Sequence, residues 1–151
     1  TYRVTDDRLE IADAGGSVAL VYTRIEYNTS PSLDGTEWVL TSLGGSGLIQ
    51  GTRITLYFEK TYLGGEMTCN GYGGGPDSGK YAVTDDGTLT IPQLAVTVQE
   101  CASSKGVMEQ EAAYIEALHS AATYRVIEHR LEIADASGKV MLVYTRFESA
   151  R

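Results

Sequence analysis

Residues Thr1 to Glu26 read TYRVTDDRLEIADAGGSVALVYTRIE, and residues Thr123 to Glu148 read TYRVIEHRLEIADASGKVMLVYTRFE. The two stretches align without a gap at an offset of 122 residues, and 19 of their 26 positions are identical. Identity at that density over one fixed offset is an internal repeat, not a bias of composition. In the second copy two β-type runs, Tyr124–Asp135 and Val140–Phe147, flank the turn Ala136-Ser137-Gly138-Lys139. In the first copy the turn is Ala14-Gly15-Gly16-Ser17. Glycine supplies positive φ there and the flanks alternate, so each copy is predicted to be a β-hairpin.

Between the copies lies material for a single body. Tyr27–Gly35 is small and polar, with Pro31 and an Asp34-Gly35 turn signal, and reads as a linker. It includes the glycosylation pattern Asn28-Thr29-Ser30, which is short enough to arise by chance. Thr36–Leu43 alternates as a strand with Trp38 and Leu40 on one face. Ile54–Glu59 follows with Ile54, Leu56 and Phe58 on one face, then a short strand Glu66–Asn70. Gly71–Gly79 is glycine-dense and reads as loop. Lys80–Thr84 and Thr88–Ile91 flank Asp85-Asp86-Gly87, a hairpin turn. Ala95–Cys101 reads as extended. Val107–Ala121 is predicted to be a helix, with Met108, Ala112, Ile115 and Leu118 at helical spacing and Ser103 or Ser104 as its cap. The expected organisation is an extra hairpin over 1–26, a linker over 27–35 and one domain over 36–148. Its class is α+β and β-rich: a curled antiparallel sheet or partial barrel with one helix on its open side.

Composition narrows the function. A net charge of −8 opposes binding to nucleic acid, which needs clustered cations to displace counterions. It equally opposes an anionic membrane surface. No apolar run reaches the ~18 residues of a spanning helix. The two cysteines, Cys69 and Cys101, follow no zinc or CxxC spacing. They imply one disulfide if the compartment is oxidising, and two buried thiols otherwise.

Residues 35–148 resemble the META domain, the HslJ-like family of small bacterial heat-shock-associated and surface lipoproteins. The residues that carry the resemblance are Gly35-Thr36-Glu37-Trp38 with Leu40 and Leu43, then Cys69-Asn70-Gly71-Tyr72-Gly73-Gly74, then Thr97 with Cys101. Met108-Glu109-Gln110-Glu111 leads to Tyr114, Ala117 and Leu118, and Tyr124, Leu131, Ile133, Gly138, Leu142 and Tyr144 close the pattern. The resemblance implies a β-rich fold with a helix, an extracytoplasmic setting, frequent tandem copies and no established enzymatic activity. The departure is at the front, where the chain begins with an extra copy of the family's last hairpin, like the tail of a preceding META repeat.

Catalytic and cofactor signals are weak. Gly74–Lys80 has the letters of a phosphate loop, but Tyr81 stands where a Ser or Thr must hold magnesium, and a strand follows in place of a helix. His129 is Asp7 in the first copy, and His119 falls late in the helix, where a histidine commonly interacts with the dipole. Asp85-Asp86 belongs to a turn. No cofactor and no metal site is expected, and an enzyme with an unadvertised site is the weakest reading. Cys69 and Asn70 read as structural pins of a loop, with ligand recognition by the 70–74 loop as the alternative.

The duplicated ribbon decides the expected function. A lone hairpin is marginal in water, and Leu9, Ile11, Val18, Leu20 and Tyr22 need a surface to cover them. It can pack on the side of its own domain, replace the native hairpin of a neighbour, or extend an exposed sheet edge. Each chain brings two ribbons for one body, so a swap alone leaves one ribbon unhoused. The expectation is a non-enzymatic, extracytoplasmic structural or assembly module that partners with itself. The alternative is a piece of a tandem META protein that binds a ligand or envelope partner under stress.

Overall fold

The computed structural model describes residues 1–5, 7–23, 32–73, 80–91, 93–99, 101–102 and 105–147. The repeated stretch is a three-stranded meander in each copy, not a hairpin. In the first copy these are β1 (Tyr2–Thr5), β2 (Arg8–Ala12) and β3 (Val18–Thr23). The body follows with β4 (Glu37–Leu43), β5 (Thr55–Glu59), β6 (Tyr62–Glu66), β7 (Gly71–Gly73), β8 (Ala82–Val83), β9 (Leu89–Thr90) and β10 (Ala95–Val96). After the helix α1 (Val107–His119) come β11 (Thr123–Ile127), β12 (Arg130–Ala134) and β13 (Val140–Arg146). The long run expected over 124–135 is divided because Glu128 takes φ 54°, which reverses the chain before Arg130.

The body is one eight-stranded antiparallel sheet in the order β10-β7-β6-β5-β4-β13-β12-β11, open at both ends and not closed into a barrel. Alternation works as expected on its central strands. Trp38 and Leu40 on β4, with Ile54, Leu56 and Phe58 at β5, all turn into the core. Leu131, Ile133, Leu142 and Tyr144 complete that face from β12 and β13. The β8–β9 hairpin turns at Asp86, whose Oδ1 accepts from the Thr88 amide at 3.1 Å and from the hydroxyls of Thr84 and Thr88. The hairpin caps the start of β11, where the Tyr124 amide donates to the Gly87 carbonyl at 2.9 Å.

Several expectations are corrected. Residues 67–70 are not a strand; they form the turn between β6 and β7, closed by the Met67 amide donating to the Asn70 carbonyl at 2.7 Å. The sequence 71–73, expected as loop, is β7, and β10 takes only two residues of the 95–101 stretch. The helix begins after Gly106, whose φ is 92° and which offers no side-chain cap. Ser103 and Ser104, the expected caps, lie outside the described residues, as do Asn28 and the rest of 24–31. The helix buries Val107, Glu111, Tyr114, Ala117 and Leu118, whereas Met108, Ala112 and Ile115 stand beside that stripe.

The two meanders are built alike. Tyr2 pairs with Ile11 as Tyr124 pairs with Ile133, and Leu9 with Tyr22 as Leu131 with Tyr144. Each carries the same bulge, after Ile11 and after Ile133. Arg3 meets Glu10 at 3.0 Å as Arg125 meets Glu132 at 2.9 Å. Their surroundings differ. Among the described residues the strands β1–β3 pair only with one another. Tyr2 is 77% exposed and Tyr22 50%, against 7% and 0% for Tyr124 and Tyr144. Val18 and Leu20 are likewise exposed, with Leu9 and Ile11 half-buried under their own sheet.

Candidate functional site

The cysteines are joined, Cys69 to Cys101, with their Cα atoms 5.6 Å apart. The bond ties the 67–70 turn to the segment that leads into α1. Asn70, beside it, is buried and fully used. Its Nδ2 donates to the Gln99 carbonyl at 3.1 Å and to Glu111 Oε1 at 3.0 Å. Its Oδ1 accepts from the Gln99 amide at 2.7 Å and from the Thr97 hydroxyl at 3.0 Å. Glu111 Oε2 accepts from the Cys69 amide at 2.7 Å. A carboxylate on the buried face of a helix is thereby satisfied by two donors from one turn. Asn70, Thr97 and Glu111 lock three segments together and leave none of the amide's capacity for a ligand.

Tyr72, read from sequence as part of a loop, projects inward from β7. Its hydroxyl donates to the Thr55 carbonyl at 2.6 Å and meets the Tyr114 hydroxyl at 2.7 Å, which meets the Tyr144 hydroxyl at 2.9 Å. One proton per hydroxyl orders the chain: Tyr144 donates to Tyr114, Tyr114 to Tyr72, and Tyr72 to the backbone. Burial pushes all three phenols well above their ordinary range, charge repulsion among them pushes in the same direction, and hydrogen bonding offsets a part of this at Tyr114 and Tyr144. The chain is therefore a neutral tie between β7, α1 and β13, not an acid–base relay at ordinary pH. It requires Gly65, because a Cβ there falls 2.0 Å from the Thr55 carbonyl oxygen and 2.6 Å from the Tyr72 hydroxyl. Gly71 and Gly73 share β7, while Gly74 and the phosphate-loop letters up to Gly79 lie outside the described residues.

A groove of about 510 Å³ runs along the outer side of this region. Met108, Ala112 and Ile115 form its helical wall, and Met67, Val96 and Val98 the other. Val98 is 94% exposed. His119 closes one end, its Nε2 accepting from the Leu94 amide at 3.3 Å. Asn70 and Glu111 reach the floor already bonded. The groove offers apolar contact and little else. Of the apolar residues at helical spacing, Leu118 is buried and Met108, Ala112 and Ile115 line this groove. Among the described residues no three His, Cys, Asp or Glu side chains gather in a way that could hold a metal ion.

An open antiparallel sheet carrying one helix, pinned by a disulfide at a Cys-Asn-Gly-Tyr turn, defines a small β-rich domain with a structural centre. The META domain profile matches residues 31–148, and the chain belongs to that family. It is similar to a solved NMR structure of a protein from Burkholderia xenovorans, at 25% identity, TM-score 0.60, with 78% of this chain and 85% of that one covered. A second NMR structure aligns at 23% identity and TM-score 0.56, covering 75% of this chain and 90% of that one, and shares the fold. No curated protein matches the sequence. META is not a known enzyme family. The disulfide is compatible with an extracytoplasmic setting, and among the described residues no helix is long and apolar enough to cross a membrane.

Proposed function

We propose that the protein is a non-enzymatic structural and assembly module of the cell exterior, of the HslJ-like kind, that associates with copies of itself. The meander β1–β3 is the association element, through its apolar face and its strand edges, which are unpaired among the described residues. The observation that carries this reading is the exposure of Tyr2, Val4, Leu20 and Tyr22, whose equivalents in the second copy are core or core-packed residues. An exposed apolar sheet face with unpaired edges is a template for another chain. Repeated head to tail, such contacts build a filament. Sedimentation over a concentration series tests it: the intact chain associates, and a chain lacking residues 1–26 stays monomeric. An intact chain that remains monomeric at high concentration overturns the reading.

A second reading is favoured by the groove. The chain is then a piece of a tandem META protein that holds an apolar ligand or envelope partner during stress, with Met108, Ile115 and Val98 as contacts. Native mass spectrometry of purified protein checks it by the presence or absence of a retained small molecule.

A further inference from the structure

The position beside β4 that β13 occupies is a slot with two candidate occupants in the same chain. The inward residues of the C-terminal meander are Tyr124, Val126, Leu131, Ile133, Leu142 and Tyr144. At the offset of 122 each has an identical counterpart in β1–β3. Pairing, bulge and ion pair are also duplicated, so the first copy already has the shape that the slot accepts. The slot takes one ribbon at a time, because the other edge of β4 is filled by β5.

The chain path permits the exchange without a second molecule. β13 runs antiparallel to β4 and ends where the Phe147 amide donates to the Glu37 carbonyl at 2.8 Å. The sequence counterpart of Phe147 is Ile25. If Ile25 takes that place, it lies about 5 Å across the strands from Glu37. Ser32, five residues before Glu37, is at most about 18 Å from it at full extension. The seven steps from Ile25 to Ser32 span up to about 25 Å, so the connection closes even in the least favourable arrangement. Tethering also gives the first copy a high local concentration at the slot.

We infer that β1–β3 is an alternate occupant of the slot beside β4 of its own body, so that the chain has two mutually exclusive folded frames. In the exchanged frame Val21, Tyr22 and Thr23 pair with Ser42, Leu40 and Val39, as Val143, Tyr144 and Thr145 do here, and β11–β13 becomes the displayed ribbon. Two substitutions between the copies set the balance toward the frame seen. Phe147, whose ring lies under the Arg53 guanidinium at 5.3 Å, is replaced by Ile25, and Met141, packed on the core, by Ala19. This goes beyond the association reading, since either frame leaves one ribbon outside.

The test uses the full chain carrying Ile133→Asp, which disables the C-terminal occupant, together with Thr23→Cys and Val39→Cys on the outer face of the exchanged pair. The expected result is a monomer with a cooperative thermal transition and a disulfide between positions 23 and 39 within one chain, located by peptide mapping. Adding Ile11→Asp disables both occupants and abolishes the transition and the bond. An Ile133→Asp chain that loses its transition as completely as the doubly substituted one overturns the inference. So does a bond between positions 23 and 39 that is absent, or that joins different chains. The association reading is scored separately, by sedimentation of the unsubstituted protein.

Discussion

At the scale of single residues, the centre of the domain is a set of polar groups that a core can hold only when all are paired. Tyr114 is the middle member of the hydroxyl chain, and Tyr114→Phe leaves the Tyr144 hydroxyl without an acceptor and the Tyr72 hydroxyl without its donor. The expected loss is about 1–3 kcal/mol, read from urea unfolding. Gly65→Ala places a methyl against backbone as well as against Tyr72, and about 3 kcal/mol is lost, since the Thr55 carbonyl cannot rotate aside. The raised phenol pKa values also set a pH limit. Unfolded tyrosines ionise near pH 10, whereas the buried three keep their protons. Their stabilising contribution is thus complete below about pH 10 and is lost as pH rises from there through the folded values. A fall in melting temperature that begins above pH 10, and that is shallower in Tyr114→Phe, checks it. All three tyrosines stand among the residues that carry the family resemblance, but their contact was not legible in the sequence. Tyr114 lies 42 residues from Tyr72 and 30 from Tyr144, and only the packing of α1 across the sheet brings the hydroxyls together.

At the scale of elements, the helix is held as much by one turn as by its apolar stripe. Glu111→Ala strips the acceptor from the Cys69 amide and from Asn70 Nδ2. It is expected to cost about 2–3 kcal/mol, because bonds to a charged group are among the strong ones. Reducing the Cys69–Cys101 bond releases a loop of sequence separation 32, and a loss of about 3–4 kcal/mol is expected in the chain-entropy description. Denaturant midpoints with and without reductant measure it. Here the sequence was partly readable. The even pair of cysteines allowed the disulfide without deciding it, Asn70 read as a pin of its loop, and the turn at Asp86 followed from turn chemistry. The buried face of α1 did not, because it contains a carboxylate while its neighbouring stripe is apolar. Periodicity ranks Met108, Ala112 and Ile115 above a face whose Glu111 is satisfied by hydrogen bonds that no pattern shows.

At the scale of the whole molecule, one sequence is present in two environments. Matched backbone amides provide an internal control. Those of β2 at Leu9 and Ile11 are expected to exchange hydrogen faster than those of β12 at Leu131 and Ile133, despite equal local sequence and equal register. Heteronuclear NMR resolves the pairs, and equal protection would mean that β1–β3 is covered in solution. The repeat by itself determined three strands, a bulge, an Arg–Glu pair and an Asp-led turn, in both copies alike. These rest on neighbours close in the chain, where backbone sterics and short-range bonding suffice. Which copy is core was decided elsewhere. Leu142 and Tyr144 are fully buried where β4 pairs with their strand and α1 packs on it, while among the described residues no such body covers Leu20 and Tyr22, which stay half exposed. Burial is a property of the surface a residue meets, and identical residues cannot encode which of them will meet it.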